Sequence, residues 1–298
     1  MTLPNFLIVG AAKAGTTSLY QYLAQHPQVY MSPRKEPRYF APEYYTTFYH
    51  HAIGNLYREK GLSRQEYEAL FDGVTNEIAI GEASTEYLFF EKSAERIKQT
   101  IPDARILIVL RDPIERAFSA YCFHLRDGRE TLSFEEALVQ EPVRAEQHWQ
   151  VGWFYKQGGF YYEQVNRYYK LFEHDKIKII LWDDLNQNPQ AVCAEVFDFL
   201  AVDPGFVPEL SRANKSLKPR NLTLNRYVFK NRSLKKRIRS LLPTETYAAF
   251  SKPLKKIFYT QKDPIQPQLK AQLRNCYHDD ICKLERLISR DLSHWIKE

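Results

Sequence analysis

Lys13 stands alone among small residues and hydroxyls in Gly10-Ala-Ala-Lys-Ala-Gly-Thr-Thr-Ser18, after the apolar run Phe6-Leu-Ile-Val9 and before a helix-like stretch through Tyr20, Tyr22 and Leu23. A loop of this kind aims its backbone N–H groups, and those of the following helix N-terminus, at one anionic centre. Gly10 and Gly15 copy the first half of G-x-x-x-x-G-K-[ST], but the lysine lies inside the loop and Thr16 takes its usual place. The chemistry suggested is phosphate binding outside the standard layout of a nucleotide triphosphatase. Lys13 would bring an ammonium, while Ala14, Gly15, Thr16, Thr17 and Ser18 would supply N–H groups and three hydroxyls.

A second apolar run, Ile106 to Leu110, stops at Arg111-Asp-Pro113 and gives way to a helical pattern that carries Ser119 two turns in. Arg111 offers a planar fork matched to phosphate oxygens, and Ser119 adds a neutral donor on the same helix. By spacing alone, an Arg111 paired with Asp112 or Glu115 is an equal reading. Lys35-Glu36 follows the first helix. A partly buried carboxylate beside a bound anion is expected to have its pKa pushed up, towards the range where a general base works.

These strand-end segments resemble the PAPS-dependent sulfotransferase family, in its bacterial and heparan-sulfate-sulfotransferase-like branches. Further matches are Gly158-Gly-Phe-Tyr-Tyr162, Trp182-Asp-Asp-Leu-Asn-Gln-Asn-Pro189 and the closing stretch Asp280 to Trp295. The resemblance implies a P-loop-NTPase-like sulfotransferase fold and transfer of a sulfuryl group from PAPS to a hydroxyl, or less readily an amine, with release of PAP and no metal requirement. It places the 5′-phosphosulfate on the first loop and the 3′-phosphate on Arg111 and Ser119. Lys13 would face the bridging oxygen that gains charge, and Glu36 would take the acceptor's proton. The cytosolic branch uses a histidine instead; of His26, His50, His51, His124 and His148, His124 is the best placed. Tyr162 would flank the adenine, and Lys215 and Arg220 would belong to a basic loop closing over the 3′-phosphate. Two departures stand out. The family's Lys-Glu-x-His-Phe-Phe is Lys35-Glu-Pro-Arg-Tyr-Phe40 here, and its Glu-Lys-Ser is Glu82-Ala-Ser84, so a site lysine is lost and Arg38 replaces some of that charge. This argues against a heparan-type acceptor.

The elements that must position these residues alternate as apolar strands and amphipathic helices, the signature of a mainly parallel sheet flanked by helices on both faces, an α/β class. Strands are expected at 5–9, 78–81, 105–110 and 177–182. Helices are expected at 16–26, 63–71, 93–100, 113–127, 133–140, 160–173, 189–201 and 268–291, the 189 helix marked by Asn188 as N-cap and Pro189 at its first position. The aromatic stretch 30–60 reads as a long loop, and 212–262 as a partly helical excursion from a single domain over 1–298.

The chain has 298 residues, 44% of them hydrophobic, enough to bury a large core in one α/β unit. Its net charge of +6 is concentrated: 212–262 holds fifteen lysines and arginines against one acid, Glu245. Such a patch favours an anionic ligand or surface: PAPS, an acidic glycan, anionic lipid or nucleic acid. Its run Lys230 to Arg239, interleaved with apolar residues, is a solvated basic helix or a peripheral contact with an anionic membrane. With no N-terminal signal pattern and no apolar run near the roughly 20 residues that span a bilayer, a cytoplasmic protein is expected. Cys122, Cys193, Cys276 and Cys282 lack metal-ligand spacing and read as free thiols, with a Cys276–Cys282 bridge the minor alternative. Two rival functions remain: a P-loop kinase or nucleotide-binding protein, which needs a lysine directly after Gly15 and a strand ending in an Asp, and a non-enzymatic binder of anionic polymers. A nucleic-acid partner is not expected.

Overall fold

The computed structural model describes residues 2–46, 60–210, 217–219, 259–261 and 264–297. Their elements run β1 (Phe6–Gly10), α1 (Thr16–Leu23), β2 (Val29–Met31), α2 (Glu43–Thr46), α3 (Arg64–Glu68), β3 (Ala79–Ala83), α4 (Ser93–Thr100), β4 (Arg105–Leu110), α5 (Pro113–Arg126), α6 (Phe134–Val139), α7 (Glu141–Glu146), α8 (Tyr161–Leu171), β5 (Ile177–Leu181), α9 (Trp182–Gln187), α10 (Pro189–Phe199), β6 (Leu217–Pro219), β7 (Tyr259–Gln261), α11 (Pro267–Ile288) and α12 (Ser293–Ile296).

Five strands form one sheet in the order β2-β3-β1-β4-β5, every pairing parallel. Helices cover both faces of such a sheet, so its central strands are apolar throughout; Phe6–Val9 and Ile106–Leu110 have no exposed surface. From β1 the chain builds β2 and β3 on one side, then crosses to β4 and β5 on the other. The carboxyl ends of β1 and β4 therefore flank the point where strand order reverses, and open parallel sheets leave a ligand crevice there.

Local chemistry fixes the helices that leave these strands. Asp112 caps α5 by accepting the N–H groups of Ile114 and Glu115 at 2.8 and 3.0 Å, and Pro113 occupies the first turn. Asn188 caps α10 through Ala191 N–H at 3.3 Å, as its sequence predicts. Close approach decides one glycine. Gly81 of β3 pairs in register with Phe6, and a Cβ there would collide with the Phe6 ring. Gly81→Ala is expected to destabilise the fold by about 1–3 kcal/mol or more, read as a lower urea midpoint at unchanged slope.

Several expectations change. The edge strand β2 was not foreseen, being three residues too short to show a period. Trp182 opens α9 rather than ending β5, with Asp183 and Asp184 favouring a helix start there. The 30–60 loop includes α2. The basic stretch contributes β6 and β7, an antiparallel pair where no strand was expected, and β6 packs against α5. Lys215, Arg220, His50, His51 and 230–239 lie outside the described residues. All four cysteines are free thiols; Cys276 and Cys282 sit six residues apart on α11 without bridging. Among the described residues no helix is long and apolar enough to cross a membrane.

Candidate active site

The first loop and the end of β4 meet directly. Arg111 Nη1 donates to the Lys13 carbonyl at 3.4 Å, and its guanidinium lies 4.3 Å over the Trp182 ring. Trp182 also backs Gly15, whose φ of 100° suits glycine and where a Cβ would come within 3.0 Å of the indole. Gly15 precedes α1, which has no side-chain cap; Ser18 N–H donates to the Gly15 carbonyl at 3.0 Å, while the N–H groups of Thr16 and Thr17 stand too early in the helix to reach a carbonyl of it. Burial lowers the Arg111 pKa, and its Nε is buried without a hydrogen-bond acceptor among the described residues. An anion at that point would satisfy an otherwise costly donor. The pairing with Glu115 that spacing allowed is also present, at 3.3 Å. Ser119 is buried on α5, the helix against which β6 lies.

Lys13, itself at a φ of 70°, holds its Nζ 4.2 Å over the Phe123 ring. Burial, and after it repulsion from the Arg126 guanidinium, pulls its ammonium down to about 8. Arg126 and Arg129 approach the same ring at 4.9 and 5.8 Å, so the end of α5 and the turn after it gather cations around one aromatic face. A cavity of about 390 Å³ opens beside the loop, lined by Lys13, Thr16, Thr17, Glu36, Arg38 and Glu86, and walled further by Phe89, Phe123 and Phe154. Its size suits a small ligand or the tip of a larger one.

Glu36 does reach this cavity, but its charge state differs from the expectation. Burial alone would push its carboxyl up; Lys35 at 2.8 Å and Arg38 at 2.5 Å outweigh burial and hold it below the ordinary carboxylate range. Glu36 and Arg38 both occupy the left-handed region, with φ of 59° and 54°. Two bonds from β3 and its extension hold that strained segment: Glu36 N–H to the Ala83 carbonyl at 2.8 Å and Arg38 N–H to Ser84 Oγ at 3.0 Å. Ser84 in turn donates to Glu82, whose wholly buried carboxyl is pushed up to about 7. The Glu82-Ala-Ser84 segment thus works as a bracket for the Glu36 loop.

His124 is buried at the cavity wall, 4.0 Å from the Trp153 ring, with Nδ1 3.2 Å from the Tyr155 hydroxyl. That hydroxyl donates to Glu130, which Arg144 grips at 2.7 and 3.0 Å. Tyr162 lies elsewhere. Its N–H is held by Asp280 of α11 and its ring sits 5.8 Å from Lys283, outside the cavity lining. Ala14 is fully buried, and Ser18 is half-buried on α1 and not part of the cavity lining. Reasoning from sequence overlooked Glu86, Arg116, Phe123 and Arg129. The helical spacing of Phe123 and Arg126 from Ser119 was readable; for Glu86 no pattern existed.

Among the described residues no group of three or more His, Cys, Asp or Glu side chains could hold a metal ion. A model of the sulfotransferase family matches residues 4–205. A crystal structure of a sulfotransferase from Alicyclobacillus acidocaldarius is 36% identical, with a TM-score of 0.79 and full coverage of both chains. Curated relatives include the membrane-associated sulfotransferase kil1 of Dictyostelium discoideum, 25% identical over 68% of this chain, and the mouse bifunctional heparan sulfate N-deacetylase/N-sulfotransferase 4, 28% identical over 68%. The matched parts make up 57% and 23% of those two proteins. With a parallel five-stranded sheet, a strand-end loop carrying Lys13 and a family match across two thirds of its length, the chain belongs to the sulfotransferase family.

Proposed function

We propose that this protein transfers a sulfuryl group from PAPS to a hydroxyl of a small metabolite, lipid or saccharide and releases PAP. The observation that carries the reading is the juxtaposition of Lys13 and Arg111 just past the carboxyl ends of two adjacent parallel strands, joined by a hydrogen bond, with a buried Arg111 Nε that lacks an acceptor among the described residues. The loop N–H groups from Gly15 to Ser18 and the hydroxyls of Thr16 and Thr17 hold the phosphosulfate. Arg111 and Ser119 take the 3′-phosphate, and β6 lies against α5, the helix that carries Ser119. Transfer leaves charge on the former bridging oxygen, and Lys13 offsets it as a preorganised cation. A group at the cavity accepts the acceptor's proton; the family pattern gives that role to Glu36, with His124 as the nitrogen alternative. A kinase reading is not favoured, because Thr16 follows Gly15 and Arg111 follows β4.

Thermal shift tests the donor. PAP at about 100 times its Kd should stabilise the native state by about 2.7 kcal/mol, several degrees of melting temperature, while 5′-AMP and ATP at equal concentration shift it far less. Equal shifts for ATP and PAP would remove the 3′-phosphate from the recognition and with it the PAPS reading.

A further inference from the structure

Two carboxylates share one guanidinium at the cavity wall. Arg38 gives Nη2 to Glu36 Oε2 at 2.5 Å and its Nε lies 2.9 Å from Glu86 Oε1, while Tyr44 covers its face at 4.2 Å. The two acids are not equivalent. Glu36 has both oxygens on cations, Oε1 on Lys35 and Oε2 on Arg38. Glu86 commits Oε1 to Arg38 and accepts its own backbone N–H, and its Oε2 lies 3.4 Å from the Thr85 hydroxyl with no cation paired to it among the described residues. Both line the cavity with Lys13. A carboxylate held by cations on both oxygens would forfeit a charge-assisted pair on taking a proton; one with a cation on a single oxygen can take the proton on the other and keep its pair.

We propose that Glu86, through Oε2, takes the proton of the acceptor, and that Glu36 is a positioning residue which fixes Arg38 and, through it, Glu86. This rests on the sulfotransferase reading given above. In the step, the acceptor O–H bond breaks as its oxygen bonds to sulfur, and the proton passes to Glu86. The bond from sulfur to the bridging oxygen breaks, and its electron pair leaves with PAP. The electrostatics run the same way. Burial pushes the Glu86 carboxyl up, Arg38 opposes, and the Glu36 charge adds to the rise. The charged and titratable groups around it are Arg38 and Glu36 from the loop after β2, Tyr44 from α2 and Glu82 from β3, with Lys13 of the first loop bearing on Glu36. Its ionised form is the one that can accept a proton, so activity rises as pH climbs through the Glu86 pKa.

The test compares Glu86→Gln, Glu86→Asp and Glu36→Gln. The reading is PAPS conversion to PAP with a panel of phenolic, alkyl and saccharide alcohols, water included, beside PAP affinity. Glu86→Gln is expected to lower kcat by about 10²–10³-fold and erase the acid limb of the kcat/KM profile, with PAP affinity kept. Glu86→Asp, which keeps the charge but withdraws it, should lose kcat while retaining the limb. Glu36→Gln should lose less and move the limb to lower pH, since a charge that raises the Glu86 pKa is gone. A Glu86→Gln enzyme with the parent's rate and limb overturns the proposal, as does Glu86→Asp at full kcat or a limb erased by Glu36→Gln alone. A parent protein that binds no PAP overturns the enzyme reading itself, a result distinct from these.

Discussion

Lys13→Ala is expected to convert PAPS about 10²–10³-fold more slowly than the parent enzyme, with a smaller loss in PAP affinity. The asymmetry follows from when the charge appears. In the bound donor the bridging oxygen is shared between phosphorus and sulfur; only as the sulfur bond lengthens does it gain full charge, so a cation there favours the transition state over the ground state. The setting magnifies it. Lys13 is half-buried between its loop and the Phe123 ring, where water screens poorly. The same burial gives a signature in pH. With the free ammonium pulled down to about 8, kcat/KM should fall as pH rises through that value, because the lysine then loses the proton its role needs. The limb in kcat should lie higher, since a bound polyanion favours the charged form. Full turnover in the alanine variant would remove the loop lysine from the mechanism.

Arg111→Ala is expected to weaken PAP by about 10²-fold while leaving 5′-AMP within a few-fold. Each hydrogen bond to a charged group contributes about 1.5–3 kcal/mol, and about 1.4 kcal/mol is tenfold in affinity, so loss of a two-pronged grip on the 3′-phosphate reaches that size. The 5′-phosphate would be held by loop N–H groups that the change leaves in place. Isothermal titration of the two nucleotides reads the ratio directly. Equal losses would mean that Arg111 acts by supporting the loop through the Lys13 carbonyl and Trp182, not by reading the 3′-phosphate. Arg111→Lys should recover little, since a point charge cannot replace the planar fork or its stack on the indole.

The core of the fold was legible because its signals are local. β4 and α4 have the boundaries their patterns predict, and the others differ by a few residues at their ends, as fraying helix termini do. Short elements escaped: β2, α7, α9 and α12 are three to six residues each, below the length at which a period can be read. In the site, loop, strand-end arginine and Glu36 were readable as residue types at fixed spacings. Tyr162 was matched by position; only the fold shows that its N–H donates to Asp280 of α11 and that its ring lies beside Lys283, outside the lining of the cavity.

The order of residues alone determined that a strand ends in a small-residue loop with one lysine, and that a second strand ends in an arginine. Those facts are set by neighbours within a few positions, where backbone preference and apolar period act. Only the tertiary structure decided which charges meet. Glu86 lies fifty residues from Glu36, yet both contact Arg38, and burial raises one carboxyl while cations lower the other. A pKa depends on solvent exclusion and on charges brought close by the fold. Neither is written in local spacing, so the division of labour between two identical side chains had to wait for the third dimension.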